Sequence, residues 1–166
     1  MVAQFRETSD ANVADSVCKI CLLGPSEINL TKLPITLLRE ATSDPQQKDN
    51  RHWFVACCAL IAYREGNYEK SVDWTKEMPE FKTQSGALAL VVRALAEQRL
   101  GQVDQARETL AQAETVIPPE LRGLGAEGYV GPLPASPGSV GHDWLAPEIL
   151  RREAEKLIRG KAASQP

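Results

Sequence analysis

The sequence predicts an all-α protein of about seven helices, and three observations carry that expectation. Apolar residues recur at the spacing of an amphipathic helix through most of the chain up to Ile117 and again beyond Asp143. Two helical hairpins repeat at an offset of 35 residues, measured from Gly66 to Gly101. No alternation of apolar and polar residues is long enough to make a half-buried strand.

From Asn12 to Leu23 the apolar positions are Val13, Val17, Ile20 and Cys21, with Ser9, Asp10 and Asn12 available as caps. Gly24-Pro25-Ser26 stops this helix. A short second helix follows, marked by Leu33, Leu37, Leu38 and Ala41, in which Pro34 is tolerable because the first helical turn needs no donor there. The polar stretch from Thr42 to Asn50 connects it to the next unit. Trp53 to Arg64 then reads as an apolar helix, Glu65-Gly66-Asn67 as a turn and Tyr68 to Met78 as an amphipathic helix. The second copy runs from Ala87 to Leu100, turns at Gly101-Gln102, and continues from Val103 to Ile117 before Pro118-Pro119. Gly123 to Gly141 holds six Gly and three Pro among nineteen residues, the composition of a loop. Asp143 is placed to cap a last helix from Trp144 to about Arg159. Its apolar face is Leu145, Ile149, Leu150, Ala154, Leu157 and Ile158, opposite Arg151, Arg152, Glu155 and Lys156.

The chain of 166 residues, with 43% hydrophobic and 25% charged residues, can bury a single core. Its net charge of −3, with basic and acidic residues interspersed, leaves no basic stripe for a nucleic acid. The longest apolar runs, Phe54 to Ala62 and Leu88 to Val92, are far shorter than the ~20 residues of a bilayer span. Met1 to Asp10 lacks the basic-then-apolar order of a signal peptide. A cytoplasmic protein with neither nucleic-acid nor membrane partner is expected, its four cysteines reduced.

Overlaying the two hairpins pairs Ala59 with Ala94, Tyr68 with Val103, Ser71 with Ala106 and Thr75 with Leu110. Gly101, Ala106, Leu110, Ala113 and Pro118 fall in the order and spacing of a tetratricopeptide (TPR) repeat, which this segment resembles. The first hairpin keeps Ala59, Tyr63, Gly66 and Tyr68 and departs at Ser71 and Thr75. The resemblance implies a TPR-like α-α superhelix: a right-handed solenoid over residues 12–117 with a degenerate leading pair. A Gly/Pro-rich loop at 118–143, a capping helix at 144–161, a flexible N-terminus at 1–11 and a tail at 162–166 complete it.

Across residues 13 to 159, the segments "VADSVCKICLL", "AYREGNYEKSVDW", "ALALVVRALAEQRLGQVDQARETLAQAE" and "HDWLAPEILRREAEKLI" also resemble a TPR-type region. That region lies at the C-terminal end of planctomycete serine/threonine protein kinase-like proteins. The closing segment is the most distinctive, because His142-Asp143-Trp144-Leu145 with Arg152-Glu153-Ala154-Glu155 is foreign to the general TPR pattern. The implied role is a non-catalytic interaction region of a signalling protein. Ala146-Pro147-Glu148 copies a kinase activation-segment signature, but residues 1–145 supply no glycine-rich loop, strand lysine or catalytic-loop aspartate.

No enzyme site is expected. Cys18-Lys19-Ile20-Cys21 and Cys57-Cys58 lie in apolar helical runs, where adjacent side chains diverge by about 100° and suit zinc poorly, so buried thiols are the expectation. His52 and His142 have no nucleophile or metal cluster around them, and the carboxylates form no acid/base pair. No cofactor or metal is expected. On the TPR register the inner face of the first helices displays Trp53, Ala56, Leu60, Tyr63 and Arg64, then Leu88, Val91, Leu95, Gln98 and Arg99. Of these, Trp53, Ala56, Leu60, Tyr63, Arg64, Leu95, Gln98 and Arg99 are the candidate partner-binding residues. Arg64 and Arg99 occupy equivalent positions and suit an acidic protein or peptide. The alternatives are a small-molecule-sensing domain and a self-associating scaffold.

Overall fold

The computed structural model describes residues 8–24, 29–119, 121 and 141–160. Most of the expected N-terminal segment, the Gly/Pro-rich loop and the tail, together with Pro25 and Ser26, lie outside the described residues. The described residues are all-α. Seven α-helices and no strand are present among them: α1 (Ala11–Leu22), α2 (Ile35–Ala41), α3 (Arg51–Arg64), α4 (Tyr68–Lys76), α5 (Gln84–Arg99), α6 (Val103–Val116) and α7 (Leu145–Arg159).

Side chains set several helix starts. Asp10 accepts hydrogen bonds from the amides of Asn12 and Val13, Asn67 from that of Lys70, and Thr83 from that of Gly86. Helix α5 therefore opens at Gln84, before the expected start at Ala87. The sequence hides this because Gly86 reads as a breaker. In the fold, a Cβ on Gly86 would come within 2.5 Å of the Phe81 Cα, so glycine lets the backbones of the preceding turn and α5 nearly touch.

The 35-residue offset is written into the backbone. Gly66 and Gly101 have φ of 78° and 77°. Gly66 N–H donates to Tyr63 O and Asn67 N–H to Ala62 O, and Gly101 and Gln102 donate likewise to Gln98 and Glu97. Both are Schellman turns, which satisfy the last carbonyls of α3 and α5 and reverse the chain in the same way. After each turn a small residue, Ser71 or Ala106, is fully buried. The departure at Ser71 is accommodated because its hydroxyl donates to Ala59 O across the α3–α4 contact at 2.8 Å.

The helix pairs stack in chain order. α1 and α2 pack on α3; α3 pairs with α4 and both meet α5; α5 pairs with α6, and α7 lies on α5 and α6. This makes α3 and α5 central: Phe54 through Tyr63 are buried in succession, as is most of α5. Fully burying a Leu such as Leu60 or Leu88 contributes about 1.5–3 kcal/mol, and both are fully enclosed.

Two expected faces are rotated. On α1 the buried residues are Ala11, Ala14, Asp15, Cys18 and Leu22, while Ile20 is 73% exposed. The small side chains of Ala14 and Cys18 let α1 approach α3 closely, which the larger Val17 and Ile20 cannot. On α7 Ile149 is exposed, while Glu148 and Arg151 are buried. Arg151 goes inside because Glu148 and Glu155 bond its guanidinium and leave only its hydrocarbon stem to pack. The N-cap of α7 is Trp144, with no side-chain cap bond, and Asp143 lies in the preceding 3₁₀ turn. No helix among the described residues is long and apolar enough to cross a membrane.

Candidate functional site

α7 lies along α5, its N-terminal residues border a cleft shared with α1 and Trp53, and its middle reaches the end of α3. Glu153 receives hydrogen bonds from both terminal nitrogens of Arg64, each at 2.7 Å, and lies 3.5 Å from the Tyr63 hydroxyl. Arg64 also donates to the carbonyls of Leu22 and Leu23 at the end of α1. One guanidinium thus gathers the ends of α1 and α3 and the middle of α7.

Arg99, the repeat equivalent of Arg64, stands at the same place. Burial pushes the Tyr63 phenol up, opposed by the Arg99 guanidinium beside it, and Arg99 is itself raised chiefly by its hydrogen bond with Tyr63. Of the two arginines singled out by the repeat, Arg64 is bonded to a carboxylate of α7, whereas Arg99 stands beside the Tyr63 hydroxyl. Further along, Arg159 makes a two-point contact with Glu114 on α6, 2.9 Å in each bond, and Arg151 lies 3.6 Å from the same carboxylate.

The other candidate residues divide. Ala56, Leu60 and Leu95 are fully enclosed and offer no surface to a partner in this arrangement. Gln98 is half-buried, and it borders a cleft of about 440 Å³ with Arg99, Val103, Arg107, Leu157 and Ile158. Trp53 lies apart, in a second, more apolar cleft of about 430 Å³ whose walls include Ile20, Leu23, Leu145, Ala146 and Ile149. Over Trp53 the Lys19 ammonium sits 4.3 Å from the ring centroid and 2.6 Å from Asp15. Burial raises the Asp15 carboxyl despite Lys19, and it lowers the His52 imidazole, whose ring is tilted by 40° against Trp53.

The cysteines face the interior. Cys18, Cys57 and Cys58 are fully buried and Cys21 is half-buried. Burial drives Cys57 far up and pushes Cys58 up to about 12, so neither is a thiolate at neutral pH. Among the described residues no group of three or more His, Cys, Asp or Glu could hold a metal ion. Glu148, from the kinase-like tripeptide, is committed to Arg151 and Arg152 inside α7.

Glu153 is the residue that sequence reasoning missed. Its signal was present: Glu153 falls three positions after Leu150 and four before Leu157, so it is a charge set within the apolar stripe of α7. Such a charge needs a partner, and Arg64 supplies it. Comparison with protein-family models, curated proteins and solved structures finds no match to this chain.

Proposed function

We propose that this chain is a non-catalytic protein-binding module of TPR type, acting in bacterial kinase-linked signalling. The single observation that carries protein binding is that the α3–α5 surface already holds an amphipathic helix, α7, through a two-point arginine–carboxylate contact. A surface that selects a helix in this way is a helix-in-groove recognition device. Support for the TPR type comes from the two equivalent Schellman turns and from each second helix packing on the first helix of the next pair. The kinase connection rests on the resemblance of the closing segment.

The test is capture from lysate of the source cells with the full chain, beside a folded Arg64→Glu/Arg99→Glu variant, with bound proteins identified by mass spectrometry. A partner held by the wild type and lost by the variant supports recognition through this surface. Equal retention by both moves recognition elsewhere, and absence of any specific partner sinks the protein-binding role. A second reading, small-molecule sensing, is favoured by the apolar cleft of about 430 Å³ around Trp53. Ligand-dependent thermal stabilisation would favour that reading, and a metabolite screen without a shift would remove it.

A further inference from the structure

Between the end of α5, the start of α6 and the last turns of α7 lies the cleft of about 440 Å³ lined by Gln98, Arg99, Val103, Arg107, Leu157 and Ile158. Its walls are fixed parts of the fold. α6 pairs with α5, and α7 is packed on α5 with Leu150, Ala154 and Ile158 buried, so the aliphatic side contributed by α7 does not depend on a movement. The volume falls within the ~300–1,000 Å³ of small-molecule sites.

Two chemistries meet in this cleft. Val103 is an exposed large hydrophobic, and Leu157 is only partly packed against the core. Beside these aliphatics the lining holds two guanidiniums and, among the described residues, no carboxylate. Of the carboxylates on the adjoining helices, Glu153 is bonded to Arg64 and Glu114 to Arg159, while the Asp104–Arg107 contact is 3.4 Å long between two largely exposed side chains. A pair of that kind contributes little and leaves the Arg107 donors open to exchange. Arg99 is held by its hydrogen bond with the Tyr63 hydroxyl, and a charge ordered beforehand loses less freedom when it binds.

The combination selects the ligand. A wholly apolar molecule would cover the guanidiniums without replacing their water, and a bare inorganic anion would leave Val103 and Leu157 wet. A carboxylate at one end of an aliphatic body satisfies both parts, because Arg matches carboxylate geometry and the body removes apolar surface from water. We propose that this cleft is a binding site for a small aliphatic monocarboxylate. Its carboxylate accepts hydrogen bonds from Arg99 and Arg107, and its hydrocarbon lies on Val103, Leu157 and Ile158. The site goes beyond the protein-binding reading and lies apart from the Trp53 cleft. Because α5, α6 and α7 all wall it, an occupied site ties the last helix to the last pair and stabilises the folded chain.

The experiment titrates the full chain with sodium octanoate, well below its micellar range, by isothermal titration calorimetry and thermal melting. Saturable binding at one site per chain is expected, with a melting temperature that rises with octanoate. 1-Octanol, which keeps the chain without the charge, and acetate, which keeps the charge without the chain, should each bind about tenfold more weakly or worse. Arg107→Gln changes an exposed side chain and should keep the fold while weakening octanoate by about fivefold or more. Lys76→Gln, which removes an exposed cation on α4, should leave the affinity unchanged. Absence of saturable binding, octanol as tight as octanoate, or equal losses in Arg107→Gln and Lys76→Gln would each overturn the proposal. Binding lost in Trp53→Leu and kept in Arg107→Gln would place the ligand in the other cleft, which also overturns it. A peptide ending in a free leucine carboxylate offers the same two parts, and tighter binding of that peptide than of octanoate would overturn the small-molecule form.

Discussion

Glu153 on α7 and Arg64 at the end of α3 face each other through two parallel hydrogen bonds of 2.7 Å, 89 residues apart in the chain. The pair is largely shielded, with side-chain exposures of 13% for Arg64 and 24% for Glu153. A hydrogen bond to a charged group contributes about 1.5–3 kcal/mol in such a setting. Glu153→Ala and Arg64→Ala are each expected to lower stability by about 1–3 kcal/mol. The double variant should lose less than the sum of the two. A double-mutant cycle by urea denaturation measures the coupling, and strict additivity would show that the two side chains do not interact.

The repeat makes a paired prediction at the two turns. Gly66 and Gly101 share a left-handed backbone, and a Cβ at either would meet nothing within 4 Å. Gly66→Ala and Gly101→Ala should therefore each cost about 1 kcal/mol, and nearly equally, because the penalty is conformational. Gly86→Ala belongs to a different class, since its Cβ would strike the Phe81 and Glu80 backbone. A loss of about 3 kcal/mol or more is expected there. Thermal melts of the three variants decide the ranking.

Thiol chemistry reports the burial of α1 against α3. Cys21 is the half-buried thiol, and Cys18, Cys57 and Cys58 are enclosed. Iodoacetamide at pH 8 should label Cys21 first, slowly because burial raises its thiol also, with the other three reacting only on unfolding. Peptide mapping after timed alkylation checks the order, and early labelling of Cys57 or Cys58 would contradict the packing.

Asp15 gives the protein a pH dependence of definite sign. Its carboxyl is raised above 3.8, chiefly by burial, so the folded chain holds this proton at a pH where the unfolded chain has released it. Its contribution to stability therefore grows as pH falls through the folded value, and is complete below 3.8. Relative to Asp15→Asn, the wild type should gain stability between pH 7 and pH 4. Urea midpoints of the two proteins across that range test the slope, and a wild type that loses ground to the variant would reverse the assignment.

The surface between α7 and the first helices was half legible. Arg64 and Arg99 stood out because they occupy equivalent places in two hairpins, and the backbone bears out that equivalence at Gly66 and Gly101. Glu153 did not stand out, because a carboxylate on a helix is usually solvated and nothing local names a partner 89 residues away. Ile20 was read as core for a similar reason. Apolar spacing marks a face of α1, but only the close approach to α3, permitted by Ala14 and Cys18, decides which neighbouring stripe turns inward.

By itself the sequence determined the all-α character, the order of the seven helices and the two reversing turns. Apolar period, caps and glycine conformation act over a few residues and leave their marks there. Tertiary structure alone decided where α7 lies, that Arg151 and Glu148 are buried together, and that Glu153 meets Arg64. These depend on distances between helices far apart in the chain, and the free energy that selects them comes from burial and charge pairing across those gaps.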